Sequence, residues 1–236
     1  MKRPKRQSAN HLLGSLPERT QKQLLSKMDR VELVPRKVLY DPNQAIAHVY
    51  FPEEGVISLV STMKEGAALE IATVGKEGMV GVPVLLGADS SPLQAFAQVP
   101  GHALKMSAPD FRHELANGTG LRRLLERYTQ ALFTQLSQSV ACNRFHSIEQ
   151  RCARWLLMTA DRVKDGRFKL TQEFLAQMLG VRRPGVNEIL QRFQQRGMVA
   201  YKQGQIEITN RRKLERVSCE CYFIVRQEYE RLTGSS

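Results

Sequence analysis

Within LTQEFLAQMLGVRRPGVNEILQRF, residues 170 to 193, the groups able to do recognition chemistry are Arg182, Arg183, Asn187, Glu188 and Gln191. A guanidinium offers a planar fork of N–H donors that fits guanine O6 and N7 together, or a pair of phosphate oxygens. Gln191 follows Asn187 and Glu188 by one helical turn, so in a helix the three sit opposite Val186, Ile189 and Leu190. Glu188 could accept from cytosine N4 or pair with Arg192 four residues on, and the helix pair is the preferred reading. Thr171, Gln172 and Lys202 add a hydroxyl, an amide and an ammonium suited to phosphate. Together these side chains are candidates for contacting the base edges and phosphates of double-stranded DNA, chemistry that breaks no bond.

The elements that must hold them follow from the same stretch. Thr171 can cap a helix whose first turn carries Glu173 and whose apolar face is Phe174, Leu175, Met178 and Leu179. Gly180 ends that helix, since glycine takes the left-handed conformation beyond a helix without a Cβ clash. Val181 can plug the turn. Pro184 suits the start of a second helix, where its missing N–H is no loss, and Val186, Ile189, Leu190 and Phe193 form the second buried stripe. Two helices around a glycine turn, with arginines at the entrance to the second, make a helix-turn-helix, whose second helix enters the major groove N-terminus first. Behind it MVAYKQGQIEI alternates around Gln203-Gly204, the pattern of a β-hairpin, which makes a winged helix with Lys202 near the tip.

Charge supports a polyanionic partner. The net charge is +12, and it is unevenly placed: residues 1 to 6 hold four basic groups, residues 7 to 140 hold 13 basic and 13 acidic, and residues 141 to 236 hold 18 basic and 10 acidic. The basic start, MKRPKR, is an expected disordered tail and weak phosphate contact. No apolar run is long enough to span a bilayer, and no apolar segment with a cleavage site follows the basic start, so a cytoplasmic protein with no membrane partner is expected. Four cysteines, Cys142, Cys152, Cys219 and Cys221, are too few for a disulfide framework in 236 residues.

Upstream, hydrophobic periodicity falls to about two. Short runs (VLY, HVYFP, GVISLVSTM, LEIATVG, AFAQVPG, HALKM) separated by glycines predict a small antiparallel barrel or sandwich, with a turn at Pro52-Glu-Glu-Gly55. LLGSLPERTQKQLLSKM ahead of it reads as helix. After Gly118 to Gly120, Leu121, Leu125, Tyr128 and Leu132 step as the a and d positions of a coiled-coil seam do, predicting a long helix with a dimer interface; packing on its own domain is the alternative.

These residues carry a family resemblance. LTQEFLAQMLGVRRPGVNEILQRFQQRGMVAYKQGQIEI resembles the winged-helix end of the cyclic-AMP receptor protein/Fnr (Crp/Fnr) family of bacterial transcription regulators, and HVYFPEEGVISLV followed by GKEGMVG resembles its β-roll sensor domain. The resemblance implies an α+β chain: a β-roll over 11–117, a dimerisation helix over 118–146, and a winged-helix DNA-binding domain with a C-terminal helix over 147–236. It also implies a homodimer on an inverted repeat, an effector in the β-roll, and RNA polymerase as a partner. Carried over by position, Arg183 falls where the family's guanine-reading arginine sits, Thr171 and Gln172 where helix-start groups meet phosphate, and Gly180 at the turn glycine. The glutamate that commonly follows the reading arginine is Pro184 here, and an arginine common further along that helix is Glu188, so the family's best-known target sequence does not transfer. The alternative function is a ligand- or partner-binding module of cyclic-nucleotide-domain type that does not recognise DNA.

The sensor departs further. Cyclic-nucleotide binders in the family hold ribose with a glutamate between glycines and the cyclic phosphate with an Arg-Ser pair. Here the first stretch is Gly78-Met-Val-Gly81 and the second Pro92-Leu-Gln-Ala95, so a cyclic nucleotide is not expected. The Fnr-type iron–sulfur site draws on N-terminal cysteines, and none precedes Cys142, so that cluster is not expected either. The effector stays unknown. His48, His102 and His113 are scattered and read as ordinary hydrogen-bonded histidines. Cys219 and Cys221 read as lying on one helix with the stripe Leu214, Val217, Cys221, Ile224 and Leu232; two residues apart on a helix they face away from each other, so no metal site is expected there. Buried small residues are the default reading, a thiol switch with Cys142 or Cys152 the alternative. No Ser/His/Asp order or paired-carboxylate motif stands out, and Gly75-Lys-Glu-Gly78 lacks the length of a P-loop, so no enzyme is expected.

Overall fold

The computed structural model describes residues 8–117 and 120–234; the basic segment 1–6 and Gly118 lie outside them. The stretch read as helix forms two short helices, α1 (His11–Gly14) and α2 (Glu18–Ser26), with Pro17 at the start of the second, where a helix start is expected. Pro17 divides them: it lies in an extended conformation as the N-cap of α2, where its missing N–H costs nothing.

The sensor follows as β1 (Asp29–Leu33), β2 (Val38–Tyr40), β3 (His48–Thr62), β4 (Ala68–Val74), the short α3 (Val82–Leu85), β5 (Gln94–Ser107) and α4 (Ala108–Ala116). Every pairing is antiparallel, with β3 between β5 and β4 and with β1 and β2 both on β5. The expected turn at Pro52-Glu-Glu-Gly55 is instead part of β3, which passes through register shifts at Pro52, Glu54 and Val56 against β5. Gly55 has φ +90°, and a Cβ on Gly101 opposite would lie 2.2 Å from the carbonyl oxygen of Glu54. Bulges of this kind bend both strands, so one long ladder curls into a roll without breaking.

The C-terminal half consists of α5 (Leu121–Phe145), α6 (Ile148–Ala160), a 3-10 turn (Lys164–Gly166), β6 (Arg167–Lys169), α7 (Gln172–Leu179), α8 (Arg183–Gln195), β7 (Val199–Lys202), β8 (Gln205–Ile208), α9 (Arg211–Val217) and α10 (Glu220–Thr233). One apolar core runs through both halves. Helix α5 packs on β4 and, along its length, on α10.

That packing corrects the dimer seam. Leu121, Leu125, Tyr128 and Leu132 are buried within the chain's own core. The Tyr128 hydroxyl donates to the carbonyl of Met79 at 2.9 Å, and the ring of Tyr229 on α10 lies against its own. Apolar spacing reports a covered face, not which partner covers it. The large apolar side chains that α5 leaves in solvent are Phe133, 62 % exposed, Val140, 73 %, and Phe145, 79 %.

Candidate nucleic-acid interface

Helix α7 is capped by Thr171, whose Oγ1 accepts from the backbone N–H of Phe174 at 3.1 Å, so that hydroxyl serves the helix start. Gly180 adopts φ +63°, ψ +40°. Around it the Gly180 N–H donates to Gln177 and the Val181 N–H to Ala176, closing the helix end. The chain re-enters helix at Arg183, with Arg182 extended as N-cap and Pro184 in the first turn. Leu175, Ala176, Met178 and Leu179 on α7 and Val186, Ile189, Leu190 and Phe193 on α8 are buried.

Arg182, Arg183, Glu188 and Gln191 are exposed on the far side of α8. Asn187 is half-buried, its Oδ1 accepting from Gln172 Nε2 at 3.1 Å, so these two expected DNA contacts hold each other across the turn. The expected Glu188–Arg192 pair does not form. Arg192 reaches Glu149 at 4.0 Å, beside Arg196 at 3.4 Å. The half-buried Glu149 on α6 thus takes both arginines, leaving Glu188 without a hydrogen bond or ion pair among the described residues.

Several other arginines of the C-terminal half are engaged by protein partners. Arg151 donates to the carbonyl of Leu179, Arg162 pairs with Glu77 at 2.8 Å, and Arg211 pairs with Asp161 and Glu215. Arg182 and Arg183 make no hydrogen bond or ion pair among the described residues, so their forks point into solvent unspent. The hairpin turns at Gln203, φ +51°, and Gly204, φ +72°, with Lys202 exposed at the end of β7. Strand β6 pairs with β8 and widens the wing to three strands, a strand the sequence pattern was too short to show.

The reading head is docked on the sensor. Phe174 of α7 meets Phe96 of β5 edge to face at 6.1 Å between centroids, and Trp155 Nε1 of α6 donates to Glu70 of β4 at 2.7 Å. In the nucleotide region of the β-roll, Met79 is wholly buried and Gln94 Nε2 donates to Asp41 at 2.8 Å.

The C-terminal cysteines are not arranged as expected. Ser218 and Cys219 interrupt the helix, with Cys219 extended as the N-cap of α10. The buried face of α10 is Cys221, Tyr222, Val225 and Tyr229, while Ile224 is exposed. Because Cys219 precedes the helix, it and Cys221 turn toward the same place. There they meet Cys142 and His146 from the end of α5, with the four ligand atoms all within 4.8 Å of one another. The contact with Cys142 is the largest influence lowering the Cys219 pKa, and the same contact raises that of Cys142. The acidic Glu220, in the first turn of α10, was the available sign of a helix start here.

The chain matches the family model of the cyclic nucleotide-binding domain over residues 30–117 and that of the Crp-like helix-turn-helix domain over 150–217. No curated protein matches it in sequence. Among solved structures it is similar to a transcriptional regulator of the Crp/Fnr family from Eubacterium rectale, with 16% identity, a TM-score of 0.67, and coverage of 87% of this chain and 96% of that one. It is similar also to FixK2 from Bradyrhizobium japonicum, with 15% identity, TM-score 0.67 and coverage of 81% and 98%. A third is the c-di-GMP responsive global regulator CLP from Xanthomonas campestris, with 13% identity, TM-score 0.64 and coverage of 81% and 99%. Fold and site define a DNA-binding transcription regulator: a cyclic-nucleotide-domain-like sensor joined to a winged helix. The chain belongs to the Crp/Fnr family. No helix among the described residues is long and apolar enough to cross a membrane.

Proposed function

We propose that the protein is a homodimer that binds an inverted repeat of double-stranded DNA, one α8 in each of two successive major grooves, under control of an effector other than a cyclic nucleotide. The observation that carries this reading is the pair of unengaged guanidinium groups, Arg182 and Arg183, at the exposed start of α8, the end of a recognition helix that enters the major groove. Arg183, Glu188 and Gln191 read base edges; Arg182 serves a base or a phosphate; Lys202 meets phosphate from the wing. Asn187 and Gln172 reach DNA only by giving up their mutual bond, and Thr171 contributes to phosphate through its position at the helix start. The dimer face is the exposed side of α5 around Phe133 and Val140, seven residues and two turns apart, in place of the buried Leu121, Leu125, Tyr128 and Leu132. The buried Met79 and the Asp41 carboxylate on Gln94 support an effector unlike a cyclic nucleotide. In this reading the protein acts in the cytoplasm, meets RNA polymerase beside its DNA site, and catalyses no reaction.

Selection of bound sequences from a random DNA pool by the purified chain tests it. An enriched inverted repeat with half-sites about one helical turn apart is expected. Enrichment of a lone half-site by the dimer, or none by either the full chain or residues 147 to 236, would overturn it.

A further inference from the structure

The three thiols at the α5–α10 contact do not belong to the apolar core; they form a small buried cluster of their own. Cys142 and His146 sit one turn apart on the last turn of α5, and His146 caps that helix with extended backbone. Cys219 arrives from the α9–α10 junction and Cys221 from the first turn of α10. The Sγ atoms of Cys142 and Cys219 are 3.5 Å apart, and Cys221 Sγ is 3.6 Å from His146 Nδ1. A zinc ion with Zn–S of about 2.3 Å and Zn–N of about 2.0–2.1 Å sets tetrahedral edges of about 3.8 Å between two sulfurs and about 3.5 Å between sulfur and nitrogen. These two pairs lie within about 0.3 Å of those edges, and all four ligand atoms lie within 4.8 Å of one another, so small side-chain shifts close the tetrahedron. An iron–sulfur cluster would space its cysteine sulfurs further apart, because iron and sulfide lie between them.

The surroundings complete a metal site. His146 Nε2 lies 3.1 Å from a carboxylate oxygen of Glu220, which fixes the ring and directs its Nδ1 inward, as metal-bound histidines are held. The three thiols are buried and the His146 side chain is 14 % exposed, which leaves an entry edge. Three thiolates and a neutral imidazole around a divalent ion leave one net negative charge. Arg154 acts on all three thiols electrostatically, and its Nε is buried with no hydrogen-bond partner among the described residues.

We propose that Cys142, His146, Cys219 and Cys221 bind one tetrahedral zinc-class ion that clamps the C-terminal helix to the end of the long helix. The ion closes the joint where α5 passes into α6, so it fixes the winged helix relative to the sensor; binding releases the thiol protons. The site stands whether or not the DNA reading holds, since its test is spectroscopic. The reduced, chelator-stripped full chain is titrated anaerobically with Co2+. Saturation at one equivalent is expected, with the visible bands of tetrahedral cobalt and a thiolate-to-cobalt charge-transfer band, both abolished by added Zn2+. Cys221→Ser and His146→Ala are expected to weaken binding more than about 100-fold and Glu220→Gln, an exposed change that leaves the fold intact, by about 10–100-fold. Cys152→Ser, which alters a buried thiol of α6 outside the cluster, is expected to bind like the parent chain. Zn2+ should raise the melting temperature of the parent and not of Cys221→Ser. Absence of a charge-transfer band, binding indifferent to both Cys221→Ser and Glu220→Gln, or reconstitution with iron and sulfide to several irons per chain would each overturn the proposal.

Discussion

Trp155 Nε1 donates to Glu70 Oε1 at 2.7 Å, tying the first helix of the DNA-binding half to β4 of the sensor. Ser58 also donates to this carboxylate, at 2.7 Å. As a residue Glu70 is only partly buried, yet its carboxyl group is desolvated between these partners, and that desolvation raises its pKa from 4.5 to about 7 against the pull of both hydrogen bonds, Arg154 and Arg162. The folded protein therefore holds this proton more tightly than the unfolded chain does. Stability falls as pH rises from about 4.5 to about 7, by about 1–2 kcal/mol once partial solvent access is allowed for. Melting temperature against pH should show that slope, and Glu70→Gln should flatten it; an unchanged slope in the variant would remove Glu70 from the account.

At the reading head, Arg183→Ala is expected to cost about 1–3 kcal/mol on the selected site and to relax preference at one base pair per half-site. Lys202→Ala should weaken all sequences alike and lower the salt slope by about one. Binding titrations on specific and random DNA over a range of salt separate the two. Equal loss on both DNAs for Arg183→Ala would contradict base readout.

Legibility differed by physical cause. The helix-turn-helix and its hairpin were readable because each boundary has a local chemical mark: Thr171 as cap, Gly180 with positive φ, Gln203-Gly204 at the tip. The wing strand Arg167–Lys169 was not, since three residues show no period. The turn expected at Pro52 to Gly55 became a bulged strand because the partner that keeps it extended, around Gly101, lies far along the chain. The spacing from Leu121 to Leu132 marks a covered face, but spacing alone carries nothing about whether the cover is a second copy or, as here, the chain's own core. At Cys219, one residue of helix boundary decided whether two thiols diverge or meet.

The two faces of α5 can be told apart by mutation. Phe133→Glu combined with Val140→Glu puts charge on the exposed side and should raise the dimer dissociation constant by about 30-fold or more while leaving the melting temperature of the monomer nearly unchanged. Leu125→Ala opens a cavity in the chain's own core and should cost about 2–5 kcal/mol of stability without a comparable change in association. Sedimentation velocity and denaturant melts read the two effects. Dissociation by Leu125→Ala alone would return the interface to the buried stripe.

The bulged ladder makes the last prediction. At Gly101 an added Cβ meets the carbonyl oxygen of Glu54 at 2.2 Å and the backbone nitrogen of Gly55 at 2.7 Å, both main-chain atoms that cannot rotate aside. Relief requires the two bulges to separate, which breaks pairing at the centre of the β3–β5 ladder. Gly101→Ala should therefore destabilise the protein by about 3 kcal/mol. Gly66→Ala is the contrast: at φ +83° with nothing within 4 Å of the new methyl, it carries only backbone strain, about 1 kcal/mol. Urea melts of the two variants should differ by about 2 kcal/mol in that order. Equal costs would mean that the strands part freely at this point and that the close approach of Gly101 to Glu54 does not hold the roll closed.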